Sequence, residues 1–431
     1  MGAAERATGV DLEALELAIR EAALQAGAHV LEVLLGDVGV GRREHPVRCT
    51  CGAVMHSIGV RGKRVQTLLG MIGFARSVYL CANCGKTRCP GDEELGIEHT
   101  SRSPGVQSQV ARLGAKEPFR EVAKDMQELA CVPLSRKDAE RICEAVGAQM
   151  EDWQERERIA LRSAEPPPPE APKSIETMYV ELDGTGVPMV PREVLGRKGK
   201  QKDGSAKTRE AKLGCVFTQT CFDDDGRPVR DPQSTSFVGA IETAETFGWR
   251  IYAEAVRRGL FEAKRVVCLG DGAQWVKNLA ALHFGQAQFI IDFYHACEHV
   301  GDLGRALFDR DLKRLTPYRD RWIEYLEQGD VERIVDEART LLPKDPKAGK
   351  DARTQIGYFE KNKAHMRYAA FREQGLFIGS GVIEAGCRTV IGQRLKQSGM
   401  EWSVPGANAI ITLRCTTLSN RADDFWEERA A

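Results

Sequence analysis

Long apolar runs, a basic leader and net charge are all scarce in this chain of 431 residues. No apolar run approaches the roughly 20 residues that a bilayer span requires. The opening MGAAERATGVDLEALELAIREAA is charged and amphipathic, without the basic head and apolar core of a secretory leader. The expectation is a cytoplasmic protein with no membrane partner, whose 13 cysteines are mostly reduced. A formal net charge of −1 excludes a uniformly basic protein but conceals strong local imbalance. Residues 42–88 hold nine Lys or Arg, among them Arg61, Lys63 and Arg64, against the single acid Glu44. From Arg192 to Lys212, including Arg209, eight basic residues face three acidic ones. Such clusters on a balanced chain are the footprint of a polyanion-binding surface.

The length exceeds a single hydrophobic core, so two or three domains are expected. Residues 11–35 place leucines and other apolar residues at helical spacing, which predicts an amphipathic helix within a first segment, 1–44, able to pack on its own chain or on a second subunit. Between 45 and 98 the strand-like runs VQTLLG and FARSVYL lie among cysteine pairs and read as a small β-ribbon. Over 101–163, KEPFREVAKDMQELA and SRKDAERICEAVGAQ are separated by the short turn CVPL, a candidate helix-turn-helix. Ser135, with Asp138 three residues on, makes an imperfect capping box. The run AEPPPPEAPK, 164–173, can enter neither a helix nor a central strand and reads as a linker.

From 174 to 431 the pattern is three strands, helix, strand, helix, strand, followed by a helical stretch over about 296–375 and a last helix from near Ser380. That order predicts an α/β domain with a mixed sheet and helices on its faces. Asp183, in YVELDGTG, is expected to end the first strand, and Asp271, in VVCLGDGA, the fourth; strand ends are where ligands meet an open sheet. Each is followed by glycine, which permits a sharp turn, although Asp-Gly is also an ordinary structural turn. Two such carboxylates repel unless a cation lies between them, and hard oxygen ligands favour Mg²⁺ or Mn²⁺. Glu384, in GSGVIEAGCR, is the third candidate, at the start of the last helix.

Taken in order, YVELDGTGVPM, REAKLG, CLGDGAQWVKN, IIDFYHACEH and GSGVIEAGCRTVIGQRLKQSGMEWS followed by ANAIITLR resemble bacterial insertion-sequence transposases of the DDE class, nearest the Kra-type group related to Mutator-like elements. The likeness runs from about residue 45 to residue 415. It implies an RNase H-like core with an all-α insertion, preceded by a helical, zinc-ribbon and helix-turn-helix module. It also implies catalysis by Asp183, Asp271 and Glu384 around two Mg²⁺ or Mn²⁺ ions, with Asp183 bridging them. Asp292 and His295, in DFYH, match an Asp-x-x-His signature that shapes the site or contacts DNA; a hydrogen-bonded structural pair is the alternative. The implied partners are terminal inverted repeats and target DNA, in a homo-oligomer associated with the nucleoid. Arg209 and Lys212, in the basic stretch beyond the first strand, are expected to grip phosphates close to the metal site, with a solvated loop as the alternative; Arg388, Arg394 and Lys396 are expected to line the DNA groove, and Trp402 to stack on an unpaired base or, more commonly for a tryptophan, to pack in the core. Cys81-Ala-Asn-Cys84 is half of a zinc knuckle, and Cys49-Thr-Cys51 supplies a shortened second half; His45, His56 or Cys89 stand as substitute ligands. Two other functions fit the same residues: an RNase H-like nuclease that cuts without joining, and a domesticated DNA-binding protein that has lost catalysis.

Overall fold

The computed structural model describes residues 11–163, 175–199, 201–309, 311–344 and 349–430; the proline-rich run 164–173 lies outside them. The chain divides into two units, Met1–Gly147 with Ala422–Ala431, and Ala148–Arg421.

In the first unit, α1 (Leu12–Val38) precedes a hairpin of β1 (His56–Thr67) and β2 (Gly70–Leu80), with β3 (Thr87–Arg88) added along β2. Ala28 of α1 packs with Val65, Ile72 and Ile97, and Leu31 and Leu35 adjoin them. The apolar residues of α1 do not all share that side: Leu12, Leu17, Ile19, Val30 and Leu34 remain exposed. A short helix α2 (Pro90–Glu94) carries Asp92, which is buried and takes ion pairs from Lys63 at 2.8 Å and Arg76 at 2.9 Å. Helices α3 (Pro104–Gly114) and α4 (Phe119–Ala130) follow, then α5 (Arg136–Ser163), which from Ala148 onward belongs to the second unit. The capping box forms at α5: Ser135 Oγ accepts the Asp138 amide at 3.1 Å, and Asp138 accepts the Ser135 amide at 3.2 Å.

The second unit is mixed α/β. Its strands are β4 (Ile175–Pro188), β5 (Thr208–Gln219), the small pair β6 (Cys221–Phe222) and β7 (Pro228–Val229), β8 (Ser236–Ala240), β9 (Ala263–Gly270) and β10 (Gln288–Ile291). The main sheet runs β10-β9-β4-β5-β8, with β4-β5 and β5-β8 antiparallel and β4-β9 and β9-β10 parallel. After the one-turn α6 (Pro191–Val194), helices α7 (Ala244–Arg257) and α8 (Gln274–His283) make the crossovers that parallel strands demand. Val180 and Leu182 of β4 bury against Phe247 and Ile251 of α7 and Val276 and Leu279 of α8. Alternation along β4 turns its other residues to the opposite face.

Between β10 and the last helical segment the chain is all α: α9 (Phe293–Phe308), α10 (Leu312–Gln328), α11 (Val331–Thr340), α12 (Lys350–Asn362) and α13 (Tyr368–Glu373). The segment from Ser380 is interrupted rather than uniform. It comprises α14 (Gly381–Gly386), a π-helical turn over Cys387–Gly392 and α15 (Gln393–Leu395). Arg414 donates to the Val390 carbonyl at 2.6 Å and to that of Thr389, supporting the wider turn. Arg414 belongs to α16 (Val404–Leu418), whose side chains are buried on nearly every side; the last helix, α17 (Ala422–Ala430), belongs to the first unit.

Within the second unit, Arg250 of α7 binds Glu151 at 2.8 Å and Glu242 at 2.9 Å. Burial pushes the Glu151 carboxyl up, but Arg250 and Arg158 outweigh it and hold the group at about 2, against an ordinary 4.5. A folded value below the unfolded one means that this contribution is complete above pH 4.5 and is lost as pH falls toward 2. Glu151→Gln should therefore cost roughly 1–3 kcal/mol at neutral pH. In thermal denaturation the gap from the parent chain should shrink below pH 4.5; a gap constant with pH would contradict the assignment.

Candidate functional site

The parallel pairing of β4 with β9 ends at Leu182↔Gly270, so Asp183 and Asp271 are the next residues on strands roughly 4.8 Å apart. Asp271 is the first residue past β9, and its Oδ1 accepts the Ala273 amide at 2.8 Å. Gly272 has φ +79°, where a Cβ would be strained, and lets the chain turn away at once. Asp183 is different from the sequence expectation. It does not end its strand, because β4 continues antiparallel to β5 as far as Pro188↔Thr208. Gly184 is an extended strand residue there rather than a turn, and a Cβ on it would come within 2.5 Å of Glu210. Asp183 stands where β9 stops and β4 goes on. Burial raises its carboxyl above the usual range despite bonds from Cys387 and the Gly184 amide; the Asp271 charge pushes the same way and His295 opposes it.

Glu181 and Asp183 are two apart on β4 and share a face. Glu181 Oε2 accepts the Ile383 amide at 2.9 Å, and Asp183 Oδ2 accepts the Cys387 thiol at 3.2 Å. The strand's two-residue step of about 6.6 Å matches the helix's four-residue step of about 6 Å, which is why one pair reads the other. Gly386 permits the approach, since a Cβ there would lie 2.7 Å from Phe237 of β8. Glu384 follows Ile383 on this segment, one turn before Cys387, with its carboxylate exposed and its Oε1 receiving Ser380 Oγ at 3.2 Å. The three acids do not close into one group: Asp183 and Asp271 follow paired residues on adjacent strands, Glu384 lies on the segment tied to β4, and among the described residues the ligand atoms all within 4.8 Å of one another are those of the four cysteines.

Asp292 caps α9, accepting the His295 amide at 2.6 Å, and also accepts the Ser380 amide at 2.5 Å. Behind it, His299 stacks on Tyr358 of α12 with ring centroids 3.7 Å apart, and the Tyr358 hydroxyl, near Gly272, is buried with no hydrogen-bond partner among the described residues. Sequence reasoning passed over Glu181, Cys387 and Tyr358. Glu181 had a signal, an acid inside the apolar run Tyr179–Leu182. Burial first, with the Asp292 charge adding to it, pushes its carboxyl up to about 8 against the pull of the Ile383 amide.

The basic residues separate into two groups. Arg61, Arg64, Arg388 and Lys396 are exposed, and Lys396 Nζ bonds Thr185 Oγ1, two residues beyond Asp183, at 2.5 Å. Arg209 is half-buried, 3.9 Å from Glu193. The others correct the expectation of a DNA groove. Arg394 is fully buried, with its guanidinium over the Trp402 ring; Trp402 is itself buried and donates Nε1–H to the Leu395 carbonyl at 3.0 Å. Both are core residues, so Trp402 offers no face to a base. Lys212 is buried between Glu210 and the Glu242 carbonyl, and Lys63 is held by Asp92 and the Ile97 carbonyl.

In the first unit, Cys49, Cys51, Cys81 and Cys84 bring their sulfurs within 4.8 Å of one another, an arrangement that could hold a metal ion. Two tight turns present them: Gly52 N–H bonds the Cys49 carbonyl, and Gly85 N–H the Cys81 carbonyl, each at 2.9 Å. The Cys49–Cys84 and Cys51–Cys81 separations are 3.4 and 3.6 Å. A zinc tetrahedron with Zn–S near 2.3 Å has edges of about 3.8 Å. The shortened Cys-x-Cys loop is no obstacle, and His45, His56 and Cys89 are not part of the group. The Ala53 amide, then the Asn83 side chain, lowers the Cys51 thiol to about 6.

Residues 248–429 match an uncharacterised protein family (UPF0236), a stretch under half of the chain that includes Asp271, Asp292 and Glu384 and begins beyond Asp183. No curated protein matches the chain. Among solved structures, the Drosophila P element transposase strand transfer complex is weakly similar: 11% identity, 75% of this chain and 80% of that one covered, TM-score 0.25. NurA with manganese is similar at 12% identity, with 68% of this chain and 66% of that one covered and a TM-score of 0.10. NurA bound to dAMP and manganese is similar at 14% identity, with 69% and 64% covered and a TM-score of 0.10. Overlaps this slight leave fold and activity to be read from the chain itself.

Proposed function

We propose that this chain is a DDE-class DNA transposase of the Kra-type group, with an RNase H-like core, that cleaves DNA at insertion-sequence ends and joins the freed ends to target DNA. The observation that carries the reading is that Asp183 and Asp271 follow the last parallel pair, Leu182↔Gly270, on adjacent strands, with the Glu384 segment tied to the same face of β4. Support for the core comes from the strand order. Numbered along the main sheet from β8, the strands run third, second, first, fourth, fifth, the first three antiparallel and the last two parallel to the first.

The donor set fits a hard divalent cation. Carboxylate oxygens are the ligands Mg²⁺ and Mn²⁺ prefer, and a cation would favour the charged form of Asp183, which burial first and the Asp271 charge after it disfavour. Asp183, Asp271 and Glu384 would hold the ions. When bound, such ions lower the pKa of water and offset charge on a phosphate in transfer. The chain's own part is to fix these carboxylates and to present Lys396, Arg388 and Arg209 to DNA phosphates nearby. In the first reaction water attacks a backbone phosphorus and releases a 3′-hydroxyl, leaving a 5′-phosphate; in the second, that hydroxyl attacks a phosphorus of the target strand and displaces the target's own 3′-oxygen, which leaves as a hydroxyl. In the first unit, the four-cysteine centre is a zinc site that stiffens a hairpin bearing the exposed Arg61 and Arg64, a surface suited to holding a terminal repeat.

Nicking and strand transfer with a donor-end oligonucleotide in Mn²⁺ test this directly. Asp183→Asn, Asp271→Asn and Glu384→Gln should each lower both products on the order of 10³-fold. Variants equal to the parent chain would leave only a DNA-binding role, and nicking without transfer would leave a nuclease. For the cysteine centre, elemental analysis should find one zinc per chain, lost in Cys51→Ser and Cys84→Ser together with some stability of the first unit. Full zinc content in both variants would refute this ligand set.

A further inference from the structure

The first amides of a helix have no partner within it, and an N-cap hydroxyl ordinarily takes one of them. At α14 the Ser380 hydroxyl is directed to Glu384 Oε1 instead, and it caps none of the helix amides. Two carboxylates from the sheet side take the donors in its place. Glu181 Oε2 receives the Ile383 amide at 2.9 Å. Asp292 Oδ2 receives the Ser380 amide at 2.5 Å, while its Oδ1 caps α9 through His295. Both acids are buried, and Glu181 Oε1 has no hydrogen-bond partner among the described residues. An acid in the middle of an apolar strand, with one oxygen unsatisfied, is costly where a leucine would pack without loss. Packing therefore gives no reason for Glu181, whereas the position of the helix does. Glu384 bonds only within its own segment in its first turn, so its reach toward Asp183 and Asp271 is set by where that segment docks.

We propose that Glu181 and Asp292 are positioning residues, a two-point clamp that fixes the start of the Glu384 helix on the sheet and so places Glu384 beside Asp183 and Asp271. This rests on the transposase reading for its catalytic consequence, but not for the docking itself. The clamp needs an acceptor oxygen at 181, not a charge. Glutamine should therefore replace Glu181, and leucine of similar volume should not. Asp292 uses both oxygens, so asparagine should keep only one of its two bonds.

Hydrogen–deuterium exchange of the full chain, read at peptides covering 378–388, tests the docking without DNA. In Glu181→Leu, exchange there should rise about 10-fold or more while peptides from β4 and β9 hold. Glu181→Gln should stay within about 3-fold of the parent chain, and Asp292→Asn should fall between the two. In Mn²⁺-dependent nicking, Glu181→Leu should lose kcat with little change in KM, and Glu181→Gln should restore it. Unchanged exchange in Glu181→Leu, or glutamine behaving as leucine does, overturns the clamp. If Glu181→Leu fails to fold, Asp292→Asn decides, and parental exchange at Ser380 and His295 in that variant overturns it. If the exchange pattern holds but the parent chain does not nick DNA, the clamp stands and the catalytic reading falls.

Discussion

Where one of two adjacent parallel strands stops, the next residue on each is left beside the other, and the pairing of β4 with β9 does this at Leu182↔Gly270, where β9 ends and β4 runs on. The two aspartates that follow repel in a half-buried setting, a state that folding alone has no reason to build. The strand that carries Asp183 gains a firm base by running on past it, paired with β5 to Pro188. Only one of the two acids thus sits on a turn. The other is held by ladder hydrogen bonds on one side and faces open space on the side where β9 has ended.

The third acid reaches this place by a different route. It is carried on a helix laid against the face that α7 and α8 leave uncovered, brought close by Gly386 and tied through Ile383 and Cys387 to residues two apart on β4. The π-turn that follows, supported by Arg414, is a local departure of the kind often found at functional sites. Both faces of the sheet carry apolar packing: Val180 and Leu182 lie against α7 and α8, while on the other face Tyr179 stacks on Phe217 and meets Phe377, and the polar ties to the Glu384 segment are added there.

Much of this was legible in the residues. Apolar, β-rich runs bounded by turn residues marked all five strands of the main sheet, including β5, which is buried on both faces, and helical spacing marked the two crossover helices and the stretch before Ser380. A helix buried all round loses its periodic signal. Helix α16 shows no stripe, since its Ile410, Ile411 and Leu413 are all covered, and only its order among the motifs drew notice. Asp-Gly was misleading at Asp183 because glycine there makes room for Glu210 rather than for a turn. Arg394 was invisible as a core residue, since an arginine stacked on an indole and sealed from water looks in sequence like part of a DNA face; burial of Trp402 was the more common of its two readings. The four cysteines meet despite a spacing one residue short, since the backbone turns, not the spacing alone, set where the sulfurs point.

Anomalous diffraction from crystals soaked in Mn²⁺ tests the central claim most directly. The account predicts an ion bound by Asp183 and Asp271 at about 2.2 Å, with Glu384 turned toward it from its present bond to Ser380. No anomalous peak between the two aspartates at saturating Mn²⁺, or a peak held by other residues alone, would contradict it.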